Sequence, residues 1–233
     1  MTWSITARCP ETGNVGIAVS TCLPAVGSLC PYVRSGVGAV ATQSFVNPFL
    51  GSRGLALLEE GLRAPEVIGD LVEFDTERSL RQIAVVDREG VAAAFTGEDC
   101  HGFAGHMLGD GVAVAGNMLV GEETLSASLA SFVDSAGEDL PERLLLALES
   151  GQAAGGDKRG RQSASLTVYA DQEYPRVDLR VDEHADPVTE LRRVFTVASD
   201  QLFPLLEMLP TAQDPAGTFD AESFRSEGSP GAP

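Results

Sequence analysis

The chain has 233 residues, 43% of them hydrophobic, enough for one large domain or two small ones around a sizeable core. Its 34 acidic and 16 basic residues give a formal net charge of −18, which excludes a nucleic-acid surface built on clustered Lys and Arg and disfavours an anionic membrane surface. No apolar run approaches the ~18 residues of a spanning helix, and no basic-then-apolar leader opens the chain. A cytoplasmic protein is therefore expected, with four free thiols (Cys9, Cys22, Cys30 and Cys100, none in CxxC spacing).

In chain order, Trp3, Ile5 and Ala7 alternate with Thr2, Ser4 and Thr6, the period of a half-buried strand running to Cys9. Pro10 to Asn14 is turn chemistry, and Val15 to Ser20 is the returning strand of a hairpin. Val37 to Thr42 is a third, glycine-rich strand. Asn47-Pro48 caps a helix carrying Leu50, Leu57, Leu58 and Leu62, and Val67, Ile68, Leu71 and Val72 outline a second. Gln82 to Asp87 and Val91 to Thr96 form a hairpin around Arg88-Glu89-Gly90. A strand at Gly111 to Ala115 precedes two helices, one through Leu125, Leu129 and Phe132, the other opening at Pro141. A polar, glycine-rich loop from Gly155 to Gln162 leads into strands at Ser163–Ala170 and Arg176–Val181, and a last helix starts at Pro187. Residues 1–209 are expected to form the domain. Residues 210–233, rich in Pro, Gly, Ser and acids, are expected to be a disordered tail. Antiparallel strands with paired helices bury their faces most simply as two stacked sheets between helix layers, an α+β four-layer αββα sandwich.

Thr2 follows the initiator Met1, and aminopeptidases generally remove a Met that precedes a small residue. A threonine so exposed carries a hydroxyl nucleophile and, on the same residue, an amine that serves as its base. No serine or cysteine triad signature competes with it. The bland alternative is a β-favouring residue at a strand start.

Five segments together resemble the DUF1028 family, part of the Ntn-hydrolase-like superfamily. They are Thr2-Trp3-Ser4-Ile5 with Pro10-Glu11-Thr12-Gly13, Gly36 to Gln43, Gly116-Asn117-Met118-Leu119, Gly155 to Ala164, and Val177 to Asp182. The likeness runs from about Thr2 to Phe195. It implies the αββα fold, an N-terminal threonine nucleophile in a cleft at the end of the sandwich, and self-association into a homo-oligomer.

On that resemblance the expected reaction is hydrolysis of a small-molecule amide by Thr2, without cofactor or metal. Arg34 would depress the amine pKa; threonine-type relatives place a lysine in that region, and this chain does not. Asn117 and Gln43 would donate amide N–H groups to the oxyanion. Asp157, Arg159, Arg161 and Ser163 would line the substrate mouth, the arginine pair suiting a carboxylate. A free α-amino group has a pKa of roughly 7.7–8.0, so about a tenth to a fifth is already neutral at pH 7. Oxyanion donors contribute on the order of 10²–10³ in rate and are the harder requirement. Each residue also has a structural reading: Arg34 as a salt-bridged arginine, Asn117 as a cap or turn residue, Asp157 to Arg161 as a solvated turn. Cys100, His101 and His106 lack a recognised zinc spacing and a fourth ligand. The competing function is a non-catalytic binding or assembly protein on the same scaffold.

Overall fold

The computed structural model describes residues 2–218. Met1 and most of the expected tail, 219–233, lie outside them. Two antiparallel sheets stack face to face. The larger comprises β1 (Thr2–Arg8), β2 (Val15–Thr21), β7 (Phe103–Gly109), β8 (Val112–Leu119), β9 (Ser163–Tyr169) and β10 (Val177–Val181), in the order β10-β9-β2-β1-β8-β7. The smaller comprises β3 (Pro31–Arg34), β4 (Gly38–Ser44), β5 (Arg81–Asp87) and β6 (Ala92–Thr96), ordered β3-β4-β5-β6.

The helices α1 (Pro48–Glu59) and α2 (Ala64–Phe74) cover the smaller sheet. The helices α3 (Glu123–Asp134) and α4 (Leu140–Ala153) cover the larger one. The four-layer αββα sandwich expected from element order is thus present. Cap chemistry explains where two helices start: Asn47 Oδ1 accepts from Phe49 N, and Asp139 Oδ1 accepts from Glu142 N.

Small side chains let the sheets approach. Val15, Ile17, Val19, Ala113 and Ala115 from one meet Ala39, Ala41, Ala84 and Val86 from the other. The opposite face of the smaller sheet, through Val40 and Val85, packs on Leu50, Leu55, Leu58 and Leu71 of α1 and α2. Strand period 2 therefore sorts β1 as well. Ser4 and Thr6 lie opposite the inter-sheet residues Ala115 and Ala113 on β8 and share their face. Trp3, Ile5 and Ala7 turn toward α3 and α4. A Cβ on Gly151 of α4 would come 2.9 Å from the Trp3 indole nitrogen, so glycine is what lets that ring lie against the helix.

Two strands escaped the sequence patterns. β3 is four residues long and begins with proline. β7 is an edge strand whose residues are mostly part-exposed, so neither shows a strong apolar alternation. By compactness the chain divides into Met1–Val194 and Phe195–Pro233. The helix α5 (Pro187–Gln201) begins within the first unit, where Arg192 ties it to α4 through Glu142 and Glu149, each at 2.7 Å. In the second unit Phe195 and Phe203 meet edge to face, centroids 5.6 Å apart. Among the described residues no helix is long and apolar enough to cross a membrane.

Candidate active site

Thr2 heads a strand hydrogen-bonded on both sides, by β2 and by β8, and it lies opposite Asn117 in the β8 ladder. It is 7% exposed. Its hydroxyl donates to Thr21 Oγ1 at 3.3 Å. Its carbonyl oxygen is held by two side-chain amides, Asn117 Nδ2 at 3.3 Å and Gln43 Nε2 at 3.4 Å.

Those amides belong to a buried network that crosses between the sheets. Gln82 Oε1 accepts from Gln43 Nε2 at 2.8 Å and from Asn117 Nδ2 at 2.9 Å. Gln82 Nε2 in turn donates to the carbonyls of Gly116 and Gly105 and to Thr96 Oγ1, at 2.8, 2.9 and 2.9 Å. Thr96 Oγ1 lies 2.9 Å from His106 Nδ1. A buried amide without partners is costly, and here each finds several, so the network rigidifies this end of the sandwich. It also corrects the roles expected of Asn117 and Gln43. The two hydrogens of Asn117 Nδ2 are used by Thr2 and Gln82, and Gln43 Nε2 faces three acceptors, Ala115 O among them at 3.0 Å. Neither amide has a hydrogen left for an oxyanion. Both position Thr2 instead. Gln82, the hub, carried no functional expectation; its signal was a primary amide in a strand that is buried along its whole length.

The Thr2 side chain stands on a narrow crevice of about 80 Å³ between the sheet ends. Thr2 and Thr21 come from the larger sheet; Thr42, Gln43 and Ser44 come from the smaller one. The remaining wall is apolar, formed by Leu23, Pro24, Val26 and Leu29 of the loop after β2, with Cys30 and Val46. Burial pushes the Cys30 thiol up to about 12, which leaves it protonated and inert as a nucleophile.

Asp157 and Ser163 hold that loop in place. Cys22 N donates to Asp157 Oδ2 at 2.9 Å, Val26 N donates to Ser163 Oγ at 3.1 Å, and Ser163 Oγ donates to the Leu23 carbonyl at 2.6 Å. Both side chains are buried and fully occupied in this way, so they shape the crevice wall. Arg159 pairs with Asp157 at 3.3 Å and Arg161 with Asp186 at 3.0 Å. Neither arginine lines the crevice, so the carboxylate clamp expected of them is not formed there.

Arg34 is at the other end of the smaller sheet. It pairs with Gly38, the first residue of β4, whereas Gln43 reaches Thr2 from five residues further along. At about 3.3 Å per residue that is roughly 16 Å of strand. Its guanidinium bonds Glu59 at 2.6 Å in an exposed pair. It cannot tune the Thr2 amine, because a charge at that range is largely screened.

Backbone strain gathers around the crevice. Among the described residues three non-glycine positions have positive φ: Ala25 at 55°, Ser44 at 72° and Met118 at 49°. Ala25 lies in the apolar wall loop, Ser44 lines the crevice, and Met118 follows Asn117. Such residues persist where the surroundings over-determine them, and they cluster at functional sites. Of the cysteine–histidine cluster, Cys100 Sγ donates to the Arg81 carbonyl at 3.4 Å and His106 meets Thr96. Among the described residues no three His, Cys, Asp or Glu side chains stand together as a metal site would need.

The model of the DUF1028 family, described as a family of unknown function, matches residues 2–191. The crystal structure of a Silicibacter pomeroyi protein assigned to that family is similar at TM-score 0.86 and 30% identity, covering 94% of this chain and 99% of that one. Anbu (ancestral beta-subunit) from Yersinia bercovieri is far more distant, at TM-score 0.38 and 11% identity over 87% of this chain and 96% of that one, too faint a likeness to carry a functional argument. No curated protein matches the chain.

Proposed function

The chain belongs to the DUF1028 family, and for it we propose an Ntn-type amidohydrolase acting on a small amide, with Thr2 as nucleophile and its own α-amine as base once Met1 is removed. One observation carries this reading: the side chain of the second residue stands on an inter-sheet crevice while two buried amides fix its carbonyl. A structural strand-starting threonine needs neither feature.

In the reaction, Thr2 Oγ1 bonds to the substrate carbonyl carbon as the amine takes the hydroxyl proton. The tetrahedral adduct collapses, the C–N bond breaks, and the amine passes that proton to the leaving nitrogen. Water then hydrolyses the resulting ester by the same relay. Ser44 is the candidate to polarise the oxyanion. It lines the crevice, it is held in a strained backbone, and its hydroxyl has no hydrogen-bond partner among the described residues.

We assign the protein to the cytoplasm, where its free cysteines would stay reduced, and to a homo-oligomer on the family resemblance. Light scattering measures the oligomer. Intact mass of the purified protein decides the central question. Loss of Met1 with turnover of an amide panel that disappears in Thr2→Ala supports the enzyme. Retained Met1 blocks the amine and favours the non-catalytic binding or assembly protein instead.

A further inference from the structure

The crevice beside Thr2 has a chemical character of its own. Apart from threonine hydroxyls, Ser44 and the engaged Gln43 amide, its lining is hydrocarbon from Leu23, Pro24, Val26, Leu29 and Val46, with the protonated thiol of Cys30. Among the described residues, none that lines the crevice has a charged side chain. Arg159 and Arg161, the pair suited to a carboxylate, are engaged by Asp157 and Asp186, Arg34 is engaged by Glu59, and the whole chain carries −18. The cation on this reading is the Thr2 α-amine itself, which must be neutral to act as the base. An anion brought here would lose water and either hold that amine in its charged, inactive form or stay unpaired, which is strongly disfavoured. Leu23 and Leu29 keep 52% and 47% of their surface accessible, apolar area that a ligand can cover.

We infer that the group bound next to the scissile carbonyl is a short, uncharged, apolar acyl chain. The inference rests on Thr2 as nucleophile and specifies the substrate class at that same site. At about 80 Å³ the crevice is well below the roughly 300–1,000 Å³ of drug-sized ligand sites, which suits a short chain rather than a bulky one. Each added methylene that becomes buried there should improve kcat/KM by about fourfold, the value of one buried CH₂.

Hydroxyl-reactive β-lactones test this without a known substrate. Opening the ring joins Thr2 Oγ1 to the acyl carbon and breaks the ring C–O bond. The hydroxyl proton ends on the released alkoxide. Protein verified by mass to begin at Thr2 would be treated with propyl-substituted and carboxymethyl-substituted lactones, and the N-terminal peptide analysed for the adduct. The propyl probe should label at least tenfold faster. The exposed position Leu29→Arg should bring the carboxymethyl probe level with it or ahead. Equal or faster labelling of the parent protein by the carboxymethyl probe overturns the apolar class and leaves Thr2 as nucleophile. Failure of both probes to modify Thr2 overturns the nucleophile and the substrate class together.

Discussion

Gln82 Oε1 receives hydrogen bonds from both Gln43 and Asn117, at 2.8 and 2.9 Å, so one side-chain oxygen joins the ends of the two sheets behind Thr2. Gln82 is fully buried. Gln82→Ala opens a cavity and takes one hydrogen-bond partner each from the Gln43 and Asn117 amides and from the Gly105 and Gly116 carbonyls, and should cost about 2–4 kcal/mol. Urea unfolding would show a lowered midpoint, and turnover would fall with it because the two amides that hold the Thr2 carbonyl lose the oxygen that anchors them. A midpoint unchanged within error would mean that the network does not brace the sandwich.

Thr2→Ala removes one hydroxyl and its 3.3 Å contact with Thr21. The stability change should stay near 1 kcal/mol or less, while amide turnover is abolished. Thr2→Ser keeps an alcohol and should retain measurable turnover. Equal rates for the alanine variant and the parent protein would remove Thr2 from the mechanism.

The base on this reading is an amine with an ordinary pKa of roughly 7.7–8.0. Its working form is the neutral one. The kcat/KM should therefore rise as pH increases through that range and level off above it. A profile that falls over the same interval would point to a protonated group as the catalyst.

Ser163→Ala removes the hydroxyl that accepts from Val26 N and donates to the Leu23 carbonyl. Both backbone groups belong to the apolar wall. A loss of about 1–2 kcal/mol is expected, with KM raised more than kcat is lowered, since the wall holds substrate and does not touch the bond being broken. A selective drop in kcat would instead make Ser163 part of the chemistry.

Arg34→Ala should change neither turnover nor stability beyond about 0.5 kcal/mol, because its partner Glu59 is also exposed and such pairs contribute little. A large loss of activity would place Arg34 at the site after all.

Asp87 governs part of the acid limb. Burial works against its ionisation, yet the Arg63 guanidinium and the N–H groups of Ala64, Val91 and Glu89 outweigh that and hold its carboxyl below the usual value. A carboxyl lowered in the folded state contributes stability above its unfolded pKa of about 3.9. That contribution is lost as pH falls through the folded value. Urea midpoints measured from roughly pH 6 downward should fall less steeply below about pH 4 in Asp87→Asn than in the parent.

The helix starts at Asn47-Pro48 and Pro141 and the strands β1, β2 and β5 were legible because capping residues, prolines of the first helical turn and apolar runs bounded by turn residues are local signals. The short β3 and the part-exposed edge strand β7 were not, since neither repeats an apolar residue often enough to stand out. Thr2 was legible as a candidate from its place in the chain alone. The functions of its neighbours were not. Gln43, Gln82 and Asn117 lie on three strands, and only the stacking of the sheets shows that their hydrogens are already used. Arg34 follows the second strand closely in sequence, but β3 runs away from Cys30 at the crevice and carries it to the far end of the sheet. Sequence spacing thus determined the local elements and the nucleophile candidate. The tertiary structure decided which polar groups are engaged and which wall is apolar, because hydrogen-bond partners and burial depend on which strands become neighbours, and that is fixed only when the two sheets pack.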